Sequence, residues 1–216
     1  VHAQPGGQGR ERAGHGGPAR GVRAVPHGSG QQGPVLRVEG DVDGAAGRGQ
    51  SGVRHGEAVA DPMMRDRDRP LTDRGRAQAR AVGTWLREHG LGCDLVLCST
   101  TLRTRQTCEA IAAAGECEAE VRHDDRIPGA DAHGLLDVIR DADESAQVVL
   151  VIGHNPTLPS TVSMLADGAG AEDAHEALTR GCPPATLAVL EYRGPWSVLG
   201  FGEAELTRVV RADDLL

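Results

Sequence analysis

The chain predicts an α/β architecture: a three-layer sandwich with a mostly parallel central sheet and helices on both faces. Three observations carry this. Short apolar runs at Leu95–Cys98, Val148–Ile152 and Leu187–Tyr192 have the length and composition of buried strands. Between them, apolar residues recur at helical spacing. Gly and Pro punctuate the boundaries, and strands that alternate with helices build an open sheet covered on two sides. In such sheets ligands bind beyond the carboxyl ends of the parallel strands.

Composition changes sharply near Val53. Residues 1–52 are rich in Gly, Arg, Gln, Ala and Pro, and runs such as Pro5-Gly6-Gly7-Gln8-Gly9-Arg10 cannot bury enough surface to offset the entropy of ordering. This segment is expected to be disordered, with 34–39 at most a short extended piece. Its six arginines stand against four acids, too weak a basic balance for a nucleic-acid-binding arm. Residues 53–216 form the expected folded domain.

Within that domain each element has a local cause. Thr72 is placed to cap a helix and Asp73 to sit in its first turn. Ala77, Ala81, Val82, Trp85 and Leu86 then recur at helical spacing, and Gly90 can end the helix. The strand at Leu95–Cys98 stops at Ser99. A second helix is expected from Leu102 to Ala114 with Gly115 as terminator, and Leu135, Leu136 and Ile139 mark a third. Val148–Ile152 leads directly into Gly153-His154, after which Pro156 can open a helix to about Ala166. Two strands, Leu187–Tyr192 and Ser197–Phe201, are expected across Arg193-Gly194-Pro195.

The chemistry is carried by three motifs: Arg54-His55-Gly56, the run from Ser99 to Thr107, and Gly153-His154-Asn155-Pro156. Two histidines and at least two arginines, each beside an expected strand end, can converge on one phosphoryl group. Arginine supplies a fixed charge and a planar fork of donors suited to phosphate oxygens. A neutral imidazole can attack phosphorus and carry it covalently. Arg103 and Arg105 are alternatives for the second arginine. The run Arg65 to Arg74, in which arginines alternate with Asp66, Asp68 and Asp73, reads as a solvated, self-paired segment near a pocket mouth.

Taken together the motifs resemble the histidine phosphatase (phosphoglycerate mutase-like) superfamily, and within it the small SixA-type phosphohistidine phosphatases. The likeness extends through Asp68-Arg69-Pro70-Leu71-Thr72-Asp73-Arg74-Gly75, Arg103-Thr104-Arg105-Gln106-Thr107 and Ala188-Val189-Leu190-Glu191, from about Val53 to the C-terminus. It implies the phosphoglycerate mutase-like fold and a metal-independent phosphatase. His55 is then the nucleophile, Arg54 and Arg103 bind phosphate, and His154 completes the pocket as a second catalytic histidine. The resemblance also favours Arg103 over Arg105. Its implied substrate is phosphohistidine on a protein. The alternatives are a small phosphorylated metabolite, cleaved by a broad-specificity phosphomonoesterase, and an inactive phosphate-binding member. Ester cleavage needs a carboxylic acid to protonate the leaving oxygen. Glu57 and Asp131 are the candidates, and both also read as structural.

One segment departs from the family pattern. An apolar strand should lead into Arg54, yet Gly47-Arg48-Gly49-Gln50-Ser51-Gly52-Val53 carries a single apolar side chain. Out-of-frame translation of GC-rich DNA gives such a composition, so the alternative expectation is that residues 1–52 are not authentic coding sequence, which resequencing the locus tests.

Composition excludes other classes. A net charge of −8 argues against a surface that binds nucleic acid or anionic membrane as a whole. Aromatics make up 2%, so the core must rest on Leu, Val, Ile and Ala. The five cysteines form no CxxC pair and the scattered histidines no ligand spacing, so no metal site is expected. No Walker A loop or dinucleotide fingerprint occurs, and no cofactor is expected. With neither a membrane-length apolar run nor an apolar signal core, a cytoplasmic location is expected.

Overall fold

The computed structural model describes residues 48–216. The expectations for residues 1–47, disorder and doubtful coding origin, lie outside the described residues. In chain order the elements are β1 (Arg48–Arg54), α1 (Asp73–Glu88), β2 (Leu95–Ser99), α2 (Leu102–Gly115), β3 (Glu120–Asp124), α3 (Ala132–Arg140), β4 (Val148–Gly153), α4 (Thr157–Ala166), α5 (Glu172–Thr179), β5 (Thr186–Tyr192) and β6 (Ala204–Arg211). The strands form one six-stranded sheet in the order β3-β2-β4-β1-β5-β6. The four strands from β3 to β1 run parallel, and β5 pairs antiparallel with β1 and with β6.

Alternation along the strands divides the core between the two faces of the sheet. Val96, Cys98, Leu150, Ile152, Leu187 and Val189 pack with Ala79, Val82, Trp85 and Leu86 of α1 and with Cys108 and Ile111 of α2. Their neighbours Leu95, Leu97, Val149, Val151, Ala188 and Leu190 pack with α3, α4 and Ala174 of α5. The expected three layers are therefore present.

β1 forms despite its composition. It lies between β4 and β5, and its register pairs Gly52 with Val151 and Ala188, and Val53 with Ile152 and Leu187. The ladder on both edges supplies what side-chain burial does not. A Cβ on Gly52 would lie 3.2 Å from Leu158 Cδ2 of α4, so the helix already fills the space that a larger strand residue would take. The strand begins at Arg48, before the expected domain start at Val53.

Several boundaries follow local chemistry. Thr72 caps α1 by accepting from Gly75 N–H at 3.0 Å, as expected. The buried stripe of α1 is Gly75, Gln78, Ala79, Val82, Gly83, Trp85 and Leu86, one step away from Ala77 and Ala81. Two glycines and a glutamine in that stripe explain why hydropathy alone misplaces it. Helix α2 ends with Gly115 still helical, and Glu116 takes the left-handed position at φ 51°.

The expected strand Ser197–Phe201 is not one. Residues Trp196–Val198 form a 3₁₀ turn, and the last strand lies further on, at Ala204–Arg211. Trp196 decides this. Its indole N–H donates to Ala146 O at 2.8 Å, and the backbone N–H groups of Trp196 and Ser197 donate to the Glu144 carboxylate at 3.0 and 2.9 Å. The short edge strand β3 and helix α5 were not expected, and both carry few buried apolar residues. Among the described residues no helix is long and apolar enough to cross a membrane.

The loop after β1 is pressed onto the start of α1. A Cβ on Gly75 would overlap the Glu57 carbonyl oxygen, and one on Gly56 would overlap the Gly75 carbonyl. Thr72 N–H also donates to Glu57 O at 2.9 Å. Gly75→Ala should therefore cost about 1–3 kcal/mol in denaturant unfolding, the usual range for overpacking. It should also displace the loop that carries His55.

Candidate active site

Three parallel strands end at one edge of the sheet. Arg54 closes β1, Ser99 closes β2 and Gly153 closes β4, and Arg54 is in register with Gly153. His55 and His154 follow directly, and His55 N–H donates to Gly153 O at 3.2 Å. Strand direction thus brings His55 and His154 together, with ring centroids 5.4 Å apart.

Arg103 joins them from the first turn of α2. It is 8% exposed, whereas Arg105 is exposed, so Arg103 is the arginine turned into the site. Its Nε donates to His55 Nε2 at 3.2 Å and its NH2 group faces His154 Nδ1 at 3.3 Å. The turn that holds it is tied down by side chains. Thr104 Oγ1 donates to Ser99 O at 2.7 Å, and Thr107 Oγ1 donates to Arg103 O at 2.7 Å. The same Thr107 oxygen accepts from Gly56 N–H at 3.1 Å, which couples the His55 loop to the arginine.

The hydrogen bonds fix the histidine tautomers. His55 Nδ1 lies 2.7 Å from Gly56 O, an acceptor, so Nδ1 carries the proton. Nε2 then keeps its lone pair, directed at the Arg103 N–H. His154 Nδ1 meets an arginine donor and so accepts, which leaves Nε2–H to donate to Ser99 Oγ at 2.7 Å. Burial pushes the His55 pKa down to about 4, with Arg103, Arg54 and Arg69 lowering it further against the Gly56 hydrogen bond. Burial, then Arg103 and His55, lowers His154 to about 4 as well. Both rings are neutral at pH 7, as nucleophilic attack requires, and the His55 Nε2 lone pair comes free once the Arg103 N–H bonded to it turns to another acceptor.

Arg54 lies close enough to add its charge to His55. One terminal NH group donates to Cys182 O, while its buried Nε has no partner. A bound anion would complete such a donor.

Each of the two candidate acids accepts a hydrogen bond that holds local structure. The Glu57 carboxylate accepts from Thr72 Oγ1 at 3.0 Å, and Asp131 caps α3 by accepting from Gly134 N–H at 2.9 Å. Sequence reasoning gave no site role to two residues that the structure places there. Ser99 orients His154. Asp66 accepts from Arg103 twice, through its backbone oxygen at 2.6 Å and its carboxylate at 2.9 Å. The signal for Ser99 was its place at a strand end; Asp66 was hidden in a charged run that reads as solvated.

Comparison with known proteins agrees with this geometry. The family model of the histidine phosphatase superfamily (branch 1) matches residues 53–132. An uncharacterized protein of Mycobacterium tuberculosis is 34% identical over 155 residues, covering 71% of this chain and 96% of its own length. A structure provisionally assigned as the phosphohistidine phosphatase SixA of Nakamurella multipartitia is 36% identical, with TM-score 0.68, covering 78% of this chain and 98% of that one. A similarly assigned structure from Agrobacterium tumefaciens is 30% identical, with TM-score 0.64 and coverage of 76% and 97%.

The lowered histidine pKa values fix a pH dependence. The unfolded chain protonates these rings near pH 6.5, the folded chain only near 4. Between those values the unfolded state binds more protons, so stability falls as pH drops through that window. NMR titration of the folded protein should show the His55 and His154 rings still neutral at pH 5.5. A midpoint near 6.5 for either would contradict the burial and charge described.

Proposed function

The chain belongs to the histidine phosphatase superfamily, and on that premise we propose that it is a metal-independent phosphatase acting through phosphorylated His55. Its substrate, in this reading, is phosphohistidine on a protein. The observation that carries the proposal is the His55 Nε2 lone pair, fixed by the Gly56 bond and set 3.2 Å from the Arg103 guanidinium.

Nε2 attacks phosphorus in line as the bond to the leaving group breaks. Arg103 and Arg54 hold the equatorial oxygens, where charge is offset in the transition state. A phosphoryl group bound here brings negative charge that favours protonation of His154, whose Nδ1–H then donates to an oxygen. Water afterwards cleaves the phosphohistidine and releases phosphate.

Two observations support the choice of substrate. Glu57 and Asp131, the carboxyl groups considered for leaving-group protonation, are bonded to Thr72 and Gly134. A phosphoramidate protonated on its own nitrogen has less need of an enzymic acid than an unactivated ester. The similar structures assigned as phosphohistidine phosphatases point the same way. We infer a cytoplasmic location, where its five cysteines, none of them in a disulfide, stay reduced.

Phosphate release from a phosphohistidine-bearing protein and from p-nitrophenyl phosphate tests the reading. Wild type should prefer the first, and His55→Ala should lose about a thousandfold or more of that turnover. Acid-labile, alkali-stable label should appear on wild type and not on the variant. Arg103→Ala should lower kcat by about 100–1000-fold, the usual cost of removing a donor to developing charge. Turnover of the ester alone would give a general phosphomonoesterase, and a folded chain without turnover a phosphate-binding protein.

A further inference from the structure

Asp66 is bonded to the arginine proposed to hold phosphate. Arg103 spends Nε on His55 and its two terminal nitrogens on Asp66 and His154. A phosphoryl group between the two histidines takes over Nε and the NH2 hydrogen that faces His154, which leaves Asp66 beside it on the remaining N–H groups. The carboxylate is also held from another side, because its other oxygen accepts from Arg69 NH1 at 3.0 Å, and Arg69 is itself anchored to Val59 O at 2.5 Å. Asp66 therefore stays at the site when phosphate binds.

Its position relative to the nucleophile matters. The Nε edge of Arg103 faces His55, and the terminal nitrogens face Asp66. The guanidinium is buried, with a side-chain exposure of 9%, while the Asp66 side chain is 68% exposed. In-line attack puts the leaving group opposite the nucleophile, and a leaving group attached to a protein must lie toward solvent, where Asp66 is exposed. Inner-face burial raises the Asp66 pKa, but the bonds and charge of Arg103 and then Arg69 outweigh it and hold the carboxyl below its usual range.

Resting on the reading of His55 as nucleophile, we propose that Asp66 selects the leaving group by charge: its carboxylate accepts a hydrogen bond from the N–H of a protonated phosphoimidazole. In that substrate the phosphoryl group sits on one ring nitrogen and a proton on the other. The bond from His55 Nε2 to phosphorus forms as the substrate P–N bond breaks. The electron pair stays on the leaving nitrogen, and the imidazole departs neutral with its other nitrogen still protonated. The positive charge passes from the substrate ring to the His55 ring, and no enzymic proton is consumed. An ester leaves instead as an oxyanion, which a carboxylate repels and an ionised Asp66 cannot protonate.

Asp66→Asn keeps an oxygen for Arg103 and removes the charge. The measurement is the ratio of kcat/KM for a phosphohistidine-bearing protein to that for p-nitrophenyl phosphate, on the full chain, beside wild type, Asp66→Glu and His55→Ala. The ratio should fall by about 10–100-fold in Asp66→Asn, as for a lost hydrogen bond to a charged group. Asp66→Glu should recover part of it. A parallel fall on both substrates would mean that Asp66 only positions Arg103, and an unchanged ratio that it plays no part; either overturns the proposal. Thermal unfolding of each variant separates these results from a loss of fold. If wild type turns over neither substrate, or His55→Ala retains activity, the proposed function itself fails, a result distinct from failure of Asp66 alone.

Discussion

The arrangement depends most on the burial of one guanidinium. Arg103 cannot lose its proton, so a permanent positive charge sits at the sheet edge and everything around it must accommodate that charge. Burying it without acceptors would cost several kcal/mol. The protein meets this with two imidazole lone pairs, a backbone oxygen and a carboxylate. The same cation disfavours protonation of both rings, so the group proposed to hold phosphate also helps keep the His55 ring neutral. Removing water from the pocket acts in the same direction. A solvated arginine at this position would do neither as well, because screening weakens both effects.

Register delivers the rest. Cys98 and Val53 both pair with Ile152, so the next residues, Ser99, Arg54 and Gly153, form one row across three strands. His55 and His154 follow that row at the same level, and Ser99 is the neighbour that receives His154 Nε2–H. A slip of one residue in any of these ladders would turn a site residue to the other face of the sheet. The buried Val/Ile/Leu runs of β2 and β4 prevent that slip. β1 has little side-chain specification of its own, and its register is held by β4, β5 and the packing of Leu158 over Gly52. His55 is thus placed by the neighbours of its strand more than by the strand itself.

This division explains what the sequence revealed. Elements that bury a one-sided or continuous apolar face were legible: β2, β4, β5 and the first four helices. His55, His154 and Arg103 were legible because each sits in a motif beside a strand end. The strand β1 was doubted because glycine and serine carry no hydropathy signal, although two flanking ladders suffice to build it. The misplaced strand near Trp196 has the opposite cause. An apolar cluster there reads as extended, but a carboxylate from Glu144 captures two backbone N–H groups and holds a turn. Such a contact, 52 residues away in sequence, leaves no local trace. Asp66 escaped for a related reason: alternating Arg and Asp look self-paired, and only the fold shows that one of these acids faces a buried arginine.

The protons at the site form a consistent set. The two rings are neutral, the arginines carry fixed charge, and the carboxylate on Arg103 is ionised, so none of these groups is an acid at neutral pH. In the proposed mechanism His154 gains a proton as a phosphoryl group brings negative charge against it, and its bond to Ser99 then leaves one N–H for an oxygen of that group. A proton used to hold a phosphoryl oxygen is not available to the leaving atom on the opposite side of phosphorus. In the proposed mechanism the leaving group therefore arrives already protonated or departs stable without a proton. Imidazole nitrogen meets the first condition near neutral pH and an alkyl oxygen meets neither, so the proposed roles of these groups favour nitrogen over oxygen at the scissile bond.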